Sequence, residues 1–291
     1  MSSLRLGLNI IAIYFIFIAQ NIQADRFRPT NKEPWHEQES EMPGGTSYFA
    51  SHVTYAGTYH GVVASMDVYE HNLTNGQVGT TAIWITNMEG DSKSDDEAIW
   101  IGWHIYPKHY GDSHTRFFTY WTRDAYDKTG CFNMDCPGFE PGPGAGIAPG
   151  AIIGPVSVNG DPHTITIKMF KDYQTGIWWI QAGLNGDTTV IGSYPAKLFD
   201  RLSKKATHLA IGGIAKGAGT ILPPPMGSGS LPPDKAASIS DLSYVGEDGR
   251  LAPFPVDTDT IESESSCYSI TPISDGKCSY GGPRGCSLPP V

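Results

Sequence analysis

A chain of 291 residues, 40% hydrophobic and 17% charged, is long enough for one sizeable core or two small ones. Its formal net charge of −10 disfavours nucleic acid and anionic membrane surfaces as partners. With 34 glycines and 22 prolines it suits a turn-rich sheet protein better than a helical one.

Residues 1–24 read as a secretory signal peptide. Arg5 supplies the positive start, Leu6 to Ala19 is mostly apolar, and Ala24 is a small residue at the expected cut. The apolar run falls short of the roughly 20 residues that span a bilayer. No later stretch is apolar enough to span, so the mature chain is expected to be secreted, extracellular, soluble and monomeric. Loss of Arg5, the only charge in the signal, takes the net charge to −11. Residues 25–47 are polar and proline-containing, show no helical or strand period, and are read as a short flexible lead.

From Tyr48 onward, over 48–291, short candidate strands alternate with Gly, Pro, Asn and Asp punctuation. They are SHVTYAG, GVVASMDVYE, GTTAIWIT, AIWIGWHIY, TRFFTYWT, HTITIKMFK, GIWWIQAG, TTVIGSYP, THLAIGGIA and ASISDLSYV. Only Pro195–Lys205 (PAKLFDRLSKK) hints at a short helix. Many short strands with turns between them predict an all-β sandwich or barrel. The stretches Pro141–Pro149 and Leu222–Pro233 are Gly/Pro-rich loops, and no internal repeat is evident.

The five cysteines all lie outside the signal. In a secreted chain they predict disulfides, with Cys131–Cys136 as the local pair and Cys267–Cys286 clipping the C-terminal tail. Cys278 is then a free thiol, an intermolecular partner, or a sign that the tail pairs differently. No CxxC spacing or His pair completes a zinc site, and no HExxH, P-loop or Rossmann fingerprint occurs, so no cofactor or metal is expected. GSGS at 227–230 lacks the spacing of a nucleophile elbow. His104, His109 and His114 recur at five-residue intervals, which places no two on a shared helical face. Asn72-Leu73-Thr74 is a glycosylation sequon.

The stretch GWHIYPKHYGDSHTRFFTYWTRDAYDKTGCFNMDCPGF, from Gly102 to Phe139, carries the clearest signal. Together with YHGVVASMDVYE, AIWIT, WWIQAG, IGSYP, MGSGSLPPDKAAS, CYS and YGGP, in that family's order, it resembles the neprosin family of plant secreted glutamic peptidases that cut at or near proline. The resemblance runs from about Tyr48 to Pro289. It implies a β-sandwich of two antiparallel sheets with a cleft, in which one carboxylate activates water and a second stabilises the tetrahedral intermediate.

This chain departs from that pattern where the chemistry should be. The first family glutamate precedes GW, in a pattern like I-E-x-G-W, and the matching residue is Trp100. The second follows a Gly pair, and after Gly212-Gly213 the matching residue is Ile214. Glu97 lies an odd number of residues from Trp100, so a strand points it to the opposite face. No carboxylate occurs between Asp200 and Asp234. Gly102, His104, Tyr106, Gly212 and Gly213 are the remaining cleft candidates. The family's long propeptide is also reduced to the short lead.

Three functions fit. The first is an inactive neprosin-like domain binding a proline-rich peptide or protein in the cleft. The second is an active acid endopeptidase working through other residues. The third is a carbohydrate-binding sandwich with exposed tryptophans. Of Trp100, Trp103, Trp121, Trp178 and Trp179, most are expected to be core.

Overall fold

In a computed structural model the described residues are 45–283, apart from 91, 93, 94, 144, 159 and 160. The signal, the lead as far as residue 44 and Cys286 lie outside them. The strands in chain order are β1 Gly45–Thr54, β2 Gly61–Asp67, β3 Gln77–Asn87, β4 Glu97–Ile105, β5 Arg116–Thr122, β6 Cys131–Phe132, β7 Glu140–Pro141, β8 Thr164–Lys171 and β9 Trp178–Leu184. They continue with β10 Thr189–Tyr194, β11 His208–Ala218, β12 Met226–Gly227, β13 Ala237–Val245, β14 Leu251–Pro253, β15 Thr258–Glu262, β16 Ser269–Ile270 and β17 Cys278–Gly282. One short helix, α1 Pro107–Tyr110, follows β4.

All ten candidate strands form. β8 shows why: Ile165, Ile167 and Met169 are buried, while Thr166, Lys168 and Phe170 alternate with them on the other face. β3 and β4 are buried along their whole length, as befits strands covered on both faces. β1 begins at Gly45, inside the expected lead, because Gly45–Ser47 extend the ladder opposite Ala218–Lys216.

Two antiparallel sheets result. The first runs β15-β1-β11-β3-β4-β5-β6. The second runs β12-β17-β13-β2-β8-β9-β10-β7, with β14 and β16 attached to β13 and β17. Between them lies the main core, including Ile83, Ile99, Ile101, Trp103, Ile167, Ile180 and Tyr280. A second apolar cluster, including Phe49, Trp84, Trp100, Phe118, Tyr120, Phe132 and Ile214, covers the far face of the first sheet.

The helix expected over Pro195–Lys205 does not form as one element. A 3-10 turn, Ala196–Leu198, ends at Phe199. A separate turn follows, whose Asp200, Arg201 and Leu202 N–H groups all donate to the Glu97 carboxylate. That buried acid holds the chain where a continuous helix would need its own carbonyls. Cys131–Cys136 is a disulfide, Cys267 is disulfide-bonded, and Cys278 is a free, buried thiol. Burial pushes the Cys278 thiol up to about 12.

Candidate functional site

The outer face of the first sheet is built from every second residue of β1, β11, β3, β4 and β5. Register lays these side chains out in rows. One row runs Val53, Ala210, Trp84, Trp100, Tyr120, Phe132. The next runs Ser51, Gly212, Ala82, Gly102, Phe118. The third runs Phe49, Ile214, Thr80, His104, Arg116.

Trp100 and Ile214 therefore share this face, but not a row. They sit two strands apart and four residues out of register, roughly 16 Å between Cα atoms on a flat sheet. Ala210 is the β11 residue in register with Trp100, roughly 10 Å away by the same spacings. Whichever of the two β11 positions is compared, an indole faces a methyl or a sec-butyl group. Within β3, β4, β5 and β11 no carboxylate lies on this face.

Trp84 and Trp100 stack with ring centroids 4.6 Å apart and planes 8° from parallel. The Trp100 indole N–H donates to the Tyr126 hydroxyl at 2.8 Å. Tyr120 packs on Phe132 at 4.8 Å. Large rings thus fill the row of Trp100, and no carboxylate stands in it on β11, β3, β4 or β5.

The middle row is nearly bare. A Cβ on Gly102 would lie 2.0 Å from the Thr81 carbonyl oxygen, and one on Gly212 would lie 2.3 Å from that of Ala50. Gly212 also has φ +154°. Only the Ala82 methyl stands between them, and neighbouring backbone closes on both glycines, so these two positions require glycine for close strand packing. Gly213 does not belong to this row. Its Cβ direction meets Met226 and Tyr280, so it faces the core between the sheets, as strand alternation requires.

His104 is on this outer face of the sheet but fully buried, stacked on Phe118 at 4.3 Å. The Tyr110 hydroxyl accepts from the Asn133 amide and shares a 2.8 Å hydrogen bond with His104 Nε2, whose direction is set by the imidazole tautomer. Burial first, then His109 and Arg116, hold the imidazole pKa well below its ordinary value. It is a neutral, sealed ring.

Glu97 is on the opposite face, 2% exposed, with both carboxylate oxygens occupied by backbone N–H groups at 2.7–2.9 Å. The acid nearest along the Trp100 row is Asp259 at the sheet edge, opposite Val53 and four strands from Trp100.

Ser51 Oγ, Thr80 Oγ1, Thr86 Oγ1 and the Tyr106 hydroxyl, all on this face, are buried without a hydrogen-bond partner among the described residues. Burial pushes the Tyr106 phenol up to about 12. Sequence reasoning marked Tyr106 but missed Ser51, Thr80 and Thr86, because no local pattern brings residues from β1, β3 and β4 together. Asn72 is exposed in the loop between β2 and β3. No group of three His, Cys, Asp or Glu among the described residues could hold a metal. No helix among them is long and apolar enough to cross a membrane.

A family model described as Neprosin matches residues 75–283. Similar solved structures include scytalido-glutamic peptidase with a peptide-based transition-state analog, at 9% identity and TM-score 0.45 over 81% of this chain and 98% of that one. A second structure of that peptidase, with a transition-state analog inhibitor, is 11% identical with TM-score 0.46 at the same coverages. SCP-B, a member of the eqolisin family in complex with the tripeptide Ala-Ile-His, is 9% identical with TM-score 0.42, also over 81% and 98%.

Proposed function

The chain belongs to the neprosin family, and on that premise we propose that it is a secreted member that has lost peptidase chemistry and holds an extended, proline-rich peptide on the outer face of its first sheet. The observation that carries this reading is the row Ala210–Trp84–Trp100–Tyr120. A glutamic peptidase needs two carboxyls that reach one water, and one must hold a proton while the other does not. Neither an indole nor an aliphatic group exchanges a proton with water. Glu97 is committed to three N–H groups on the other face, and His104 has its Nε2 occupied.

Peptide binding is supported by what the face offers instead. Trp84 and Trp100 are 3% and 5% exposed in the free chain, so this face must open before proline rings stack on the paired indoles. The unpartnered hydroxyls of Ser51, Thr80 and Tyr106 suit peptide carbonyls.

The test uses the purified secreted chain with a quenched proline-containing peptide from pH 2 to 7, and a fluorescein-labelled oligoproline for binding by anisotropy. No cleavage at any pH, with saturable oligoproline binding weakened by Trp100→Ala, is expected. Cleavage by the unmodified chain would refute the loss of chemistry. Absence of oligoproline binding would refute the ligand.

A further inference from the structure

Five of the six tryptophans among the described residues are buried: Trp84, Trp100, Trp103, Trp121 and Trp178. Trp179 is not. It lies on the outer face of the second sheet, turned away from the core that its neighbour Trp178 fills. Phe170 is directly opposite on β8, also half-buried on that face, and neither ring belongs to either apolar cluster.

The register shows what surrounds the pair. The aromatic row continues from Trp179 and Phe170 to Gly61, whose missing side chain makes room for Val245 on the next strand. The adjacent row is Gln181, Lys168 and Val63. Beyond it, Ser65 and Thr166 bond each other at 2.8 Å. The face thus carries two aromatic rings side by side with an amide, an ammonium and two hydroxyls along one margin. Lys168 is its only charge on β2, β8 and β9, apart from Asp67, which is buried and bonded to Ser238; Glu140 stands at the β7 margin, opposite Ser193. In a chain with 30 acids, a nearly neutral aromatic face fits neither a polycation nor a polyanion.

We infer that this face, centred on Trp179 and Phe170, is a second binding site, for a neutral polysaccharide. A pyranose ring has an apolar C–H face and a rim of hydroxyls. The C–H face stacks on the rings, and the rim bonds the Gln181 amide and the Lys168 ammonium. The site is on the sheet opposite the peptide-binding face and is independent of it.

The experiment is affinity electrophoresis and pull-down of the full secreted chain with xyloglucan, mixed-linkage β-glucan, insoluble cellulose and polygalacturonate. Retention by at least one neutral polysaccharide is expected. Trp179→Ala should weaken it about tenfold, the equivalent of uncovering several tens of Å² of ring. Trp179→Phe, which keeps a stacking face and guards against misfolding, should retain most of the binding. Oligoproline binding should be the same in Trp179→Ala as in the unmodified chain. Retention by none of the neutral polysaccharides would overturn the inference. So would retention unchanged in Trp179→Ala, or retention by polygalacturonate alone, which would indicate an electrostatic contact through Lys168.

Discussion

Glu97 is the carboxylate nearest in sequence to Trp100, and replacing it separates a structural role from a catalytic one. Its oxygens accept from the backbone N–H groups of Asp200 at 2.8 Å, Arg201 at 2.9 Å and Leu202 at 2.7 Å. The side chain is 2% exposed, so water does not replace it without local opening. In Glu97→Ala each orphaned buried donor costs about 1–3 kcal/mol; with some relaxation of the 199–205 turn, the sum is about 3–5 kcal/mol. For a domain of this size that is a fall in Tm of about 10 °C. Glu97→Gln keeps one acceptor oxygen, loses the charge, and should fall between that variant and the unmodified chain. The control is Glu89→Ala, which removes an exposed pair with Lys205 and should change stability by less than about 1 kcal/mol. Differential scanning fluorimetry on the four proteins reads the ordering. A Tm for Glu97→Ala within 2–3 °C of the unmodified chain, about what 1 kcal/mol moves, would refute the reasoning. Loss of a proline-directed cleavage activity in Glu97→Gln without a loss of stability would make Glu97 a working acid and overturn the inactive reading as well.

Acid should destabilise the fold. Burial lowers the pKa of His52 and His104, and at His109 it outweighs the opposing Asp135 carboxylate. Because the folded values lie below the unfolded one, the unfolded chain binds more protons once pH drops below about 6.5. The stability these rings contribute is complete above that pH and is lost on acidification towards their folded values. Burial raises Asp67 and Asp259, which act in the opposite sense but only nearer the ordinary carboxylate range. Tm should therefore fall between pH 7 and pH 5, and a flat or rising profile would contradict the assignment. Placing Glu at 100 and 210, the in-register pair, together with Trp84→Ala to clear the ring between them, should be the more effective way to restore acid-dependent cleavage of a proline peptide. Placing Glu at 100 and 214 leaves the carboxyls too far apart to share one water, so activity there and not in the other pair would refute the register argument. Asn72→Gln should remove a glycan from the secreted chain, read as a single mass step, and an unchanged mass would show the sequon unused.

Much of the fold was legible from residue order alone. Alternation in HTITIKMFK and the apolar runs in AIWIT and AIWIGWHIY are local patterns, and each became a strand because a strand's side-chain period is a property of its own backbone. The Cys131–Cys136 loop and the opposite-facing direction of Glu97 are local in the same sense. Trp100 and Ile214 can be singled out from the sequence, but their relation in space cannot. Register is set by hydrogen bonds between segments as far apart as β1 and β11, and only pairing placed Ala210, not Ile214, in the row of Trp100. Burial of His104, the three N–H groups gathered by Glu97 from more than a hundred residues away, and the inward direction of Gly213 were likewise decided by packing. The same holds for the two adjacent tryptophans: alternation sends Trp178 and Trp179 to opposite faces, but which face meets the other sheet is settled only when the sheets pack.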